Sequence, residues 1–216
     1  PVNDVSINAT PELNIEEDTS MLLIKLNNKN RLAGSIFSEV TKSKYNNTPD
    51  IDSVDDFRNM FLLIQEMIKS KDILAIHDIS DGGLITTLLE MCFTKKIGMN
   101  LNLSGIDRVI ENLFSEESGF VVQVKQKDVA KIITTFIEKG LAASEIGYLT
   151  NDIFSINKDD KELFSKSIIE LEKIWRETSH AIQSLRDNKE IADSELSLLG
   201  DNSFSGLTSN VNFDES

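Results

Sequence analysis

Leu74-Ala75-Ile76-His77-Asp78-Ile79-Ser80-Asp81-Gly82-Gly83-Leu84 opens as an apolar run and passes two aspartates that flank a serine. It then reaches Gly-Gly before a second apolar stretch. A short apolar run bounded by turn residues reads as a strand, so 73–77 is predicted as β and 83–94 as the helix that follows. Two uses fit this strand–turn–helix. The Asp and Ser residues can be a turn with an N-cap, which is the commoner case. They can also form a platform for phosphate and metal. A helix N-terminus favours an anion, glycines allow close approach of a ligand, and Asp78 offers a hard oxygen for Mg²⁺. Ser80 can donate a hydrogen bond to a phosphate or ribose oxygen. On the residues alone, both readings stand.

Outward from this stretch the chain mixes strands with helices. Residues 21–26 (MLLIKL) form a short apolar run, read as a buried strand. A turn over 27–30 leads to helix-like spacing after Gly34-Ser35, and 43–53 is a polar loop. Ser53, followed by Asp55 and Asp56, is a predicted N-cap for an amphipathic helix over 54–70. Residues 99–103 and 120–124 read as strands, and 127–139 as a helix closed by Gly140. Apolar runs at 146–149 and 153–156 flank Asn151-Asp152, a hairpin signal. A long helix from 167 to about 186 carries the only tryptophan, Trp175. This order favours a layered α+β domain over a parallel doubly wound one.

The 216 residues suffice for one domain with loose ends, and 40% hydrophobic with 27% charged residues is ordinary for a globular chain. No apolar run approaches the roughly 20 residues of a membrane helix, and no signal-peptide pattern is visible. The net charge of −14 argues against sequence-independent nucleic-acid binding. It leaves room for a nucleotide held through Mg²⁺ and backbone N–H groups. A single cysteine, Cys92, and two histidines, His77 and His180, exclude a disulfide framework and a His- or Cys-rich metal cluster. Pro1 in the first position and the polar run at the other end are expected of a piece of a longer polypeptide. We expect residues 1–20 to be a linker, 21–187 the domain, and 188–216 an acidic linker that is exposed and mobile from about 200 onward.

The segment at 74–84 resembles the D-x-S-D-G-G-L motif in the C-terminal half-domains of the aminoimidazole ribonucleotide synthetase superfamily. Four further stretches resemble its large, single-chain formylglycinamide ribonucleotide amidotransferase family in particular. They are Thr10-Pro11-Glu12-Leu13 with Leu22-Leu23-Ile24; Arg31-Leu32-Ala33-Gly34-Ser35; Leu113-Phe114-Ser115-Glu116-Glu117-Ser118-Gly119; and Trp175 with Leu185-Arg186-Asp187-Asn188. The family pattern has glycine where Ala33 stands and usually proline where Lys189 stands, which leaves the local backbone open at both places. The resemblance runs from about residue 10 to about 196, and its motifs are specific as a set.

The resemblance implies a layered α/β/α half-domain with a mixed, largely antiparallel sheet. It corresponds to the B half of the second ATP-fold unit of a cytoplasmic enzyme of purine synthesis. That family converts formylglycinamide ribonucleotide, glutamine and ATP to formylglycinamidine ribonucleotide, glutamate, ADP and phosphate. The implied roles are Asp78 as a Mg²⁺ ligand and Ser80 as a contact to ATP or ADP. Further metal ligands would come from the preceding A half, and the glutaminase machinery from a following domain. With both outside this chain, the resemblance assigns it no catalytic residue and no activity alone. The alternatives are a non-catalytic nucleotide-binding scaffold or a relative such as selenophosphate synthetase.

The remaining polar residues have plainer readings. His77 is expected to face the core or support its neighbour. Asp81 is expected to cap the helix or orient the loop, and Glu116 and Glu117 to be a solvated turn or to line a cleft. Cys92 and Trp175, with the phenylalanines, are expected in the core. Arg186 is expected to pair with Asp187 or Glu190 rather than to clamp a phosphate.

Overall fold

The computed structural model describes residues 4–15 and 18–201. In chain order these form β1 (Thr19–Lys25), α1 (Ile36–Thr41), α2 (Val54–Lys69), β2 (Ala75–Asp78), α3 (Gly83–Lys95), β3 (Gly98–Asn102) and α4 (Val109–Phe114). There follow β4 (Gly119–Lys125), α5 (Val129–Glu138), β5 (Ala142–Thr150), β6 (Ile153–Lys158), β7 (Lys161–Ser167), α6 (Ile168–Arg186) and α7 (Lys189–Ser197). The chain divides into two compact units, Pro1–Ile168 and Ile169–Ser216.

The first unit is built on a seven-stranded sheet in the order β2-β4-β1-β5-β3-β6-β7. Only β3 and β6 pair in parallel; the other neighbours are antiparallel. This is the mixed, largely antiparallel α+β sheet expected. Every residue of β1 is buried, which is why its central residues, Met21, Leu22, Leu23 and Ile24, form a continuous apolar run rather than an alternation. Leu22 and Ile24 of β1 and Val122 and Val124 of β4 join Met60, Ile64 and Met67 of α2 and Ile132 and Phe136 of α5 in one core cluster. The residues between them, Met21, Leu23, Val121 and Gln123, are buried on the opposite face by strand alternation. Helix α3 packs on β2, β4 and α4, and buries Leu84, Leu88, Met91 and Cys92.

Local signals placed α2, α3, α5 and α6. Ser53 accepts from the Asp56 N–H at 3.2 Å, as an N-cap does. Gly140, at φ 78°, closes α5: its N–H reaches the Ile137 carbonyl and that of Leu141 reaches Phe136. Cys92 is fully buried, and burial pushes its thiol pKa up to about 12.

The expected hairpin across Asn151-Asp152 does not form. β5 and β6 are joined there, but β3 lies between them and pairs with both. Gly98 permits this. The connecting chain crosses the first residue of β3, and a Cβ at Gly98 would stand 2.2 Å from the Ile153 carbonyl oxygen and 2.5 Å from its nitrogen. The Gly98 N–H donates to the Asn151 carbonyl at 3.0 Å, so the crossing is also hydrogen-bonded. The hairpin that does form joins β6 to β7 through Asp159-Asp160, with Asp159 at φ 53°. Its second strand is almost wholly exposed and carries no alternation to read.

The stretch expected as an N-terminal linker is tied down from residue 10. The Thr10 carbonyl accepts the Ile76 N–H at 2.9 Å along the outer edge of β2, and Leu13 is buried. The buried Gln123 side chain holds both the N–H and the carbonyl of Asn14, at 2.8 and 2.7 Å.

In the second unit, Asn188 caps α7 by accepting from the N–H groups of Glu190 and Ile191. Lys189 therefore occupies the first helical position, where proline is readily accepted, and it pairs with Asp193. The expected acidic linker is helical over Lys189–Ser197, and its proposed mobile end lies outside the described residues from 202. Trp175 corrects another expectation: it is 49% exposed, with the Arg176 guanidinium 5.8 Å from its ring centroid. Trp175 lies on the apolar face of amphipathic α6 with Leu171, Ile174, Ile182 and Leu185, of which only Leu171 is buried. The phenylalanines divide, Phe136 and Phe154 being fully buried and Phe57 and Phe61 exposed.

The crossing over β3 can be tested. Gly98→Ala is expected to destabilise the protein by about 3 kcal/mol or more, because backbone must shift to admit the methyl. An unchanged denaturation midpoint would show that the strand does not pass there.

Candidate functional site

Strand β2 delivers Asp78 to its C-terminal end, and the loop to α3 carries Ser80. The Asp78 side chain is 66% exposed, and Ser80 is exposed as well. Both point to solvent without being consumed by an internal cap. His77 stands behind them, its Nδ1 3.3 Å from Asp78 Oδ1 and its Nε2 3.2 Å from Glu90 Oε2. Its Nδ1 is buried and makes no hydrogen bond. This is the supporting position expected of His77.

The loop backbone is held closely. Ile79 N–H donates to Gly119 at 3.0 Å, Gly83 N–H to Ser80 at 3.0 Å, and the Thr87 hydroxyl to Asp78 and Gly83 carbonyls. Gly82 and Gly83 both have positive φ. A Cβ on Gly83 would lie 2.7–2.9 Å from backbone atoms of residues 113–115, so glycine lets the loop press against the end of α4. The cap of α3 is Gly82 itself; Asp81 is exposed and does not cap the helix, the first of the two roles expected of it.

The carboxylate that meets this helix start comes from elsewhere. Glu116 Oε1 accepts the Gly82 N–H and the Ile36 N–H, each at 2.9 Å. The Gly82 N–H expected to face a phosphate is therefore already bonded to an internal anion. Glu117, only 3% exposed, forms a two-pronged pair with Arg31, Nε–Oε1 at 2.5 Å and Nη2–Oε2 at 2.8 Å. Arg31 also reaches Asp52 through both Nη atoms, at 3.2 and 3.0 Å. Hydrogen bonds from Arg31 to Glu117 and Asp52 hold the guanidinium pKa above its ordinary value. Glu116 and Glu117 are thus neither a solvated turn nor a cleft wall. The resemblance marked the segment, but only the fold supplies partners 80 or more positions away.

Lys25, at the end of β1, is buried beside this pair and donates to Asn30 Oδ1 at 2.6 Å. Burial lowers its pKa to about 8, and Glu117 opposes the shift. Two hollows of about 780 and 680 Å³ open near here, but neither is lined by Asp78 or Ser80. Arg186 pairs with Asp187 at 2.7 Å, as expected.

The sequence model for "AIR synthase related protein, C-terminal domain" matches residues 20–156, which hold β1 through most of β6 and the whole of this loop. The chain belongs to that family. The chain is 37% identical, over 99% of its length, to phosphoribosylformylglycinamidine synthase of Schizosaccharomyces pombe (strain 972 / ATCC 24843). It spans 17% of that relative. Its fold is similar to a Thermotoga maritima structure described as PurL complexed with FGAR. The TM-score is 0.61 at 10% identity, over 77% of this chain and 30% of that one. It is similarly close to PurLQS from the same organism, with a TM-score of 0.60 at 10% identity over 76% and 27%. These likenesses establish the fold. Ala33, where the resemblance has glycine, is not among the residues with positive φ, so the family's fold accepts alanine there.

Two measurements test the charge network. Glu117→Gln is expected to cost about 3 kcal/mol by leaving a buried arginine partly unpaired. Lys29→Ala, whose Asp52 pair is exposed, is expected to cost less than about 1 kcal/mol. Equal losses would contradict the network. The lowered Lys25 pKa means that the folded state holds fewer protons than the unfolded one between about 8 and the ordinary 10.5. Stability should therefore rise with pH across that window. The rise should be smaller in Lys25→Met, compared by denaturant midpoints; parallel profiles would refute the assignment.

Proposed function

We propose that this chain is part of an ATP-dependent ligase that converts formylglycinamide ribonucleotide to formylglycinamidine ribonucleotide, with glutamine as amido donor. In this reading residues 21–187 are the B half-domain, and Asp78 and Ser80 contribute to a Mg-nucleotide site. The observation that carries it is the 37% identity along 99% of the chain to the fission-yeast synthase. The exposed Asp78 carboxylate at a strand end gives the reading a chemical basis. Mg²⁺ favours one or two carboxylates together with phosphate oxygens and water. Among the described residues no three His, Cys, Asp or Glu side chains converge to hold a metal. Asp78 therefore fits Mg²⁺ as one member of a ligand set completed by the rest of a longer polypeptide. Bound Mg²⁺ would supply the positive charge that lets phosphate approach this acidic domain. Ser80 would donate its hydroxyl to the nucleotide.

The Gly82 and Gly83 N–H groups are engaged within the protein, which leaves Asp78 and Ser80 as the groups this loop would offer a nucleotide. The activity belongs to the assembled enzyme, and the chain alone is expected to be inactive. No described helix is long and apolar enough to cross a membrane.

The test is the nucleotide content of purified full-length variants. Asp78→Asn keeps the shape and removes the charge, so retained Mg-nucleotide should fall while the melting temperature of the nucleotide-free protein stays near wild type. Ser80→Ala should weaken retention by about 1 kcal/mol, the worth of one neutral hydrogen bond. Wild-type nucleotide content in Asp78→Asn would reduce the loop to a turn.

A further inference from the structure

We infer that Glu116 is a positioning residue for the 78–83 loop and that its carboxylate sets the backbone from which Asp78 and Ser80 are presented. The inference rests on the nucleotide reading of that loop and adds a residue to it. Three observations meet at Glu116. One oxygen, Oε1, accepts two backbone N–H groups from segments far apart in sequence, Gly82 and Ile36, at 2.9 Å each. Gly83, the next residue, is pressed so closely on the backbone of 113–115 that no side chain fits between them. Glu117, the neighbour of Glu116, is locked to Arg31 by the buried two-pronged pair.

A carboxylate anchored in this way is a fixed point. Glu116 cannot follow a loose loop, because the adjoining residue is buried and paired. The loop is instead drawn to Glu116, at its most flexible position, a glycine with φ 86°. Charge-assisted bonds to backbone N–H are stronger than neutral ones, so the oxygen suits this task better than an amide would. The same bond turns the Gly82 N–H inward. A phosphate brought to this loop therefore meets Asp78, through its metal, and the Ser80 hydroxyl, rather than Gly82.

The experiment compares Glu116→Ala, Glu116→Gln and Asp78→Asn in the full-length enzyme. It reads hydrogen exchange at individual amides without nucleotide and the dissociation constant for Mg-ADP. Glu116→Ala should speed exchange at Gly82 and Ile36 together and weaken Mg-ADP about tenfold, the loss of roughly one charge-assisted bond in the loop's favour. Glu116→Gln, which keeps an acceptor oxygen but loses the charge, should recover part of both. A purely structural role for Glu116 would lower the melting temperature but leave the dissociation constant unchanged; that result overturns the inference. If Asp78→Asn weakens binding while Glu116→Ala does not, only the positioning role fails. If neither variant affects binding, the nucleotide reading fails with it.

Discussion

The buried pair between Arg31 and Glu117 is the constraint from which the arrangement around the 78–83 loop follows. Arg31 joins the turn after β1, the 50–52 loop and the segment before β4, through Glu117, Asp52 and the Asp50 carbonyl. Two charges taken from water are stable only where their remaining hydrogen-bonding capacity is met, and here both prongs of the guanidinium are occupied. Because Glu117 is fixed, Glu116 beside it has a fixed place as well. Its carboxylate can then serve two backbone donors at once.

Charge is handled locally in a chain with a net charge of −14. The buried acids are answered by buried or half-buried cations, while Asp78 remains exposed at a strand end. Asp78 meets only the His77 ring nitrogen, at 3.3 Å, and its exposed carboxylate beside a serine and a glycine turn is where an external cation has something to add. The same general acidity repels a bare polyanion. Under the proposed function, that acidity favours a nucleotide arriving with its metal over a bare one.

The layout also separates rigidity from access. β1 is buried along its whole length and lies in the middle of the sheet, and Gln123 of β4 pins the 10–15 region against it. The site loop hangs from β2, at the sheet edge, and is stiffened by the carbonyls of Asp78, Ser80 and Gly119.

Much of this was legible in the chain itself. Apolar period and capping chemistry act over a few residues, so α2 with its Ser53 cap, α5 with Gly140, the buried run of β1 and the strand–turn–helix around Asp78 could be read directly. Strand neighbours and the partners of buried charges could not. β3 enters between β5 and β6 because Gly98 leaves room for backbone, and a close approach between distant segments leaves no periodic mark. Glu116 looked like any acidic turn residue, since its donors lie 34 and 80 positions away. Local sequence determined which elements form and which residues stand in the loop. The tertiary structure alone decided what that loop is fastened to, because a hydrogen bond or an ion pair depends on where the fold brings its two ends.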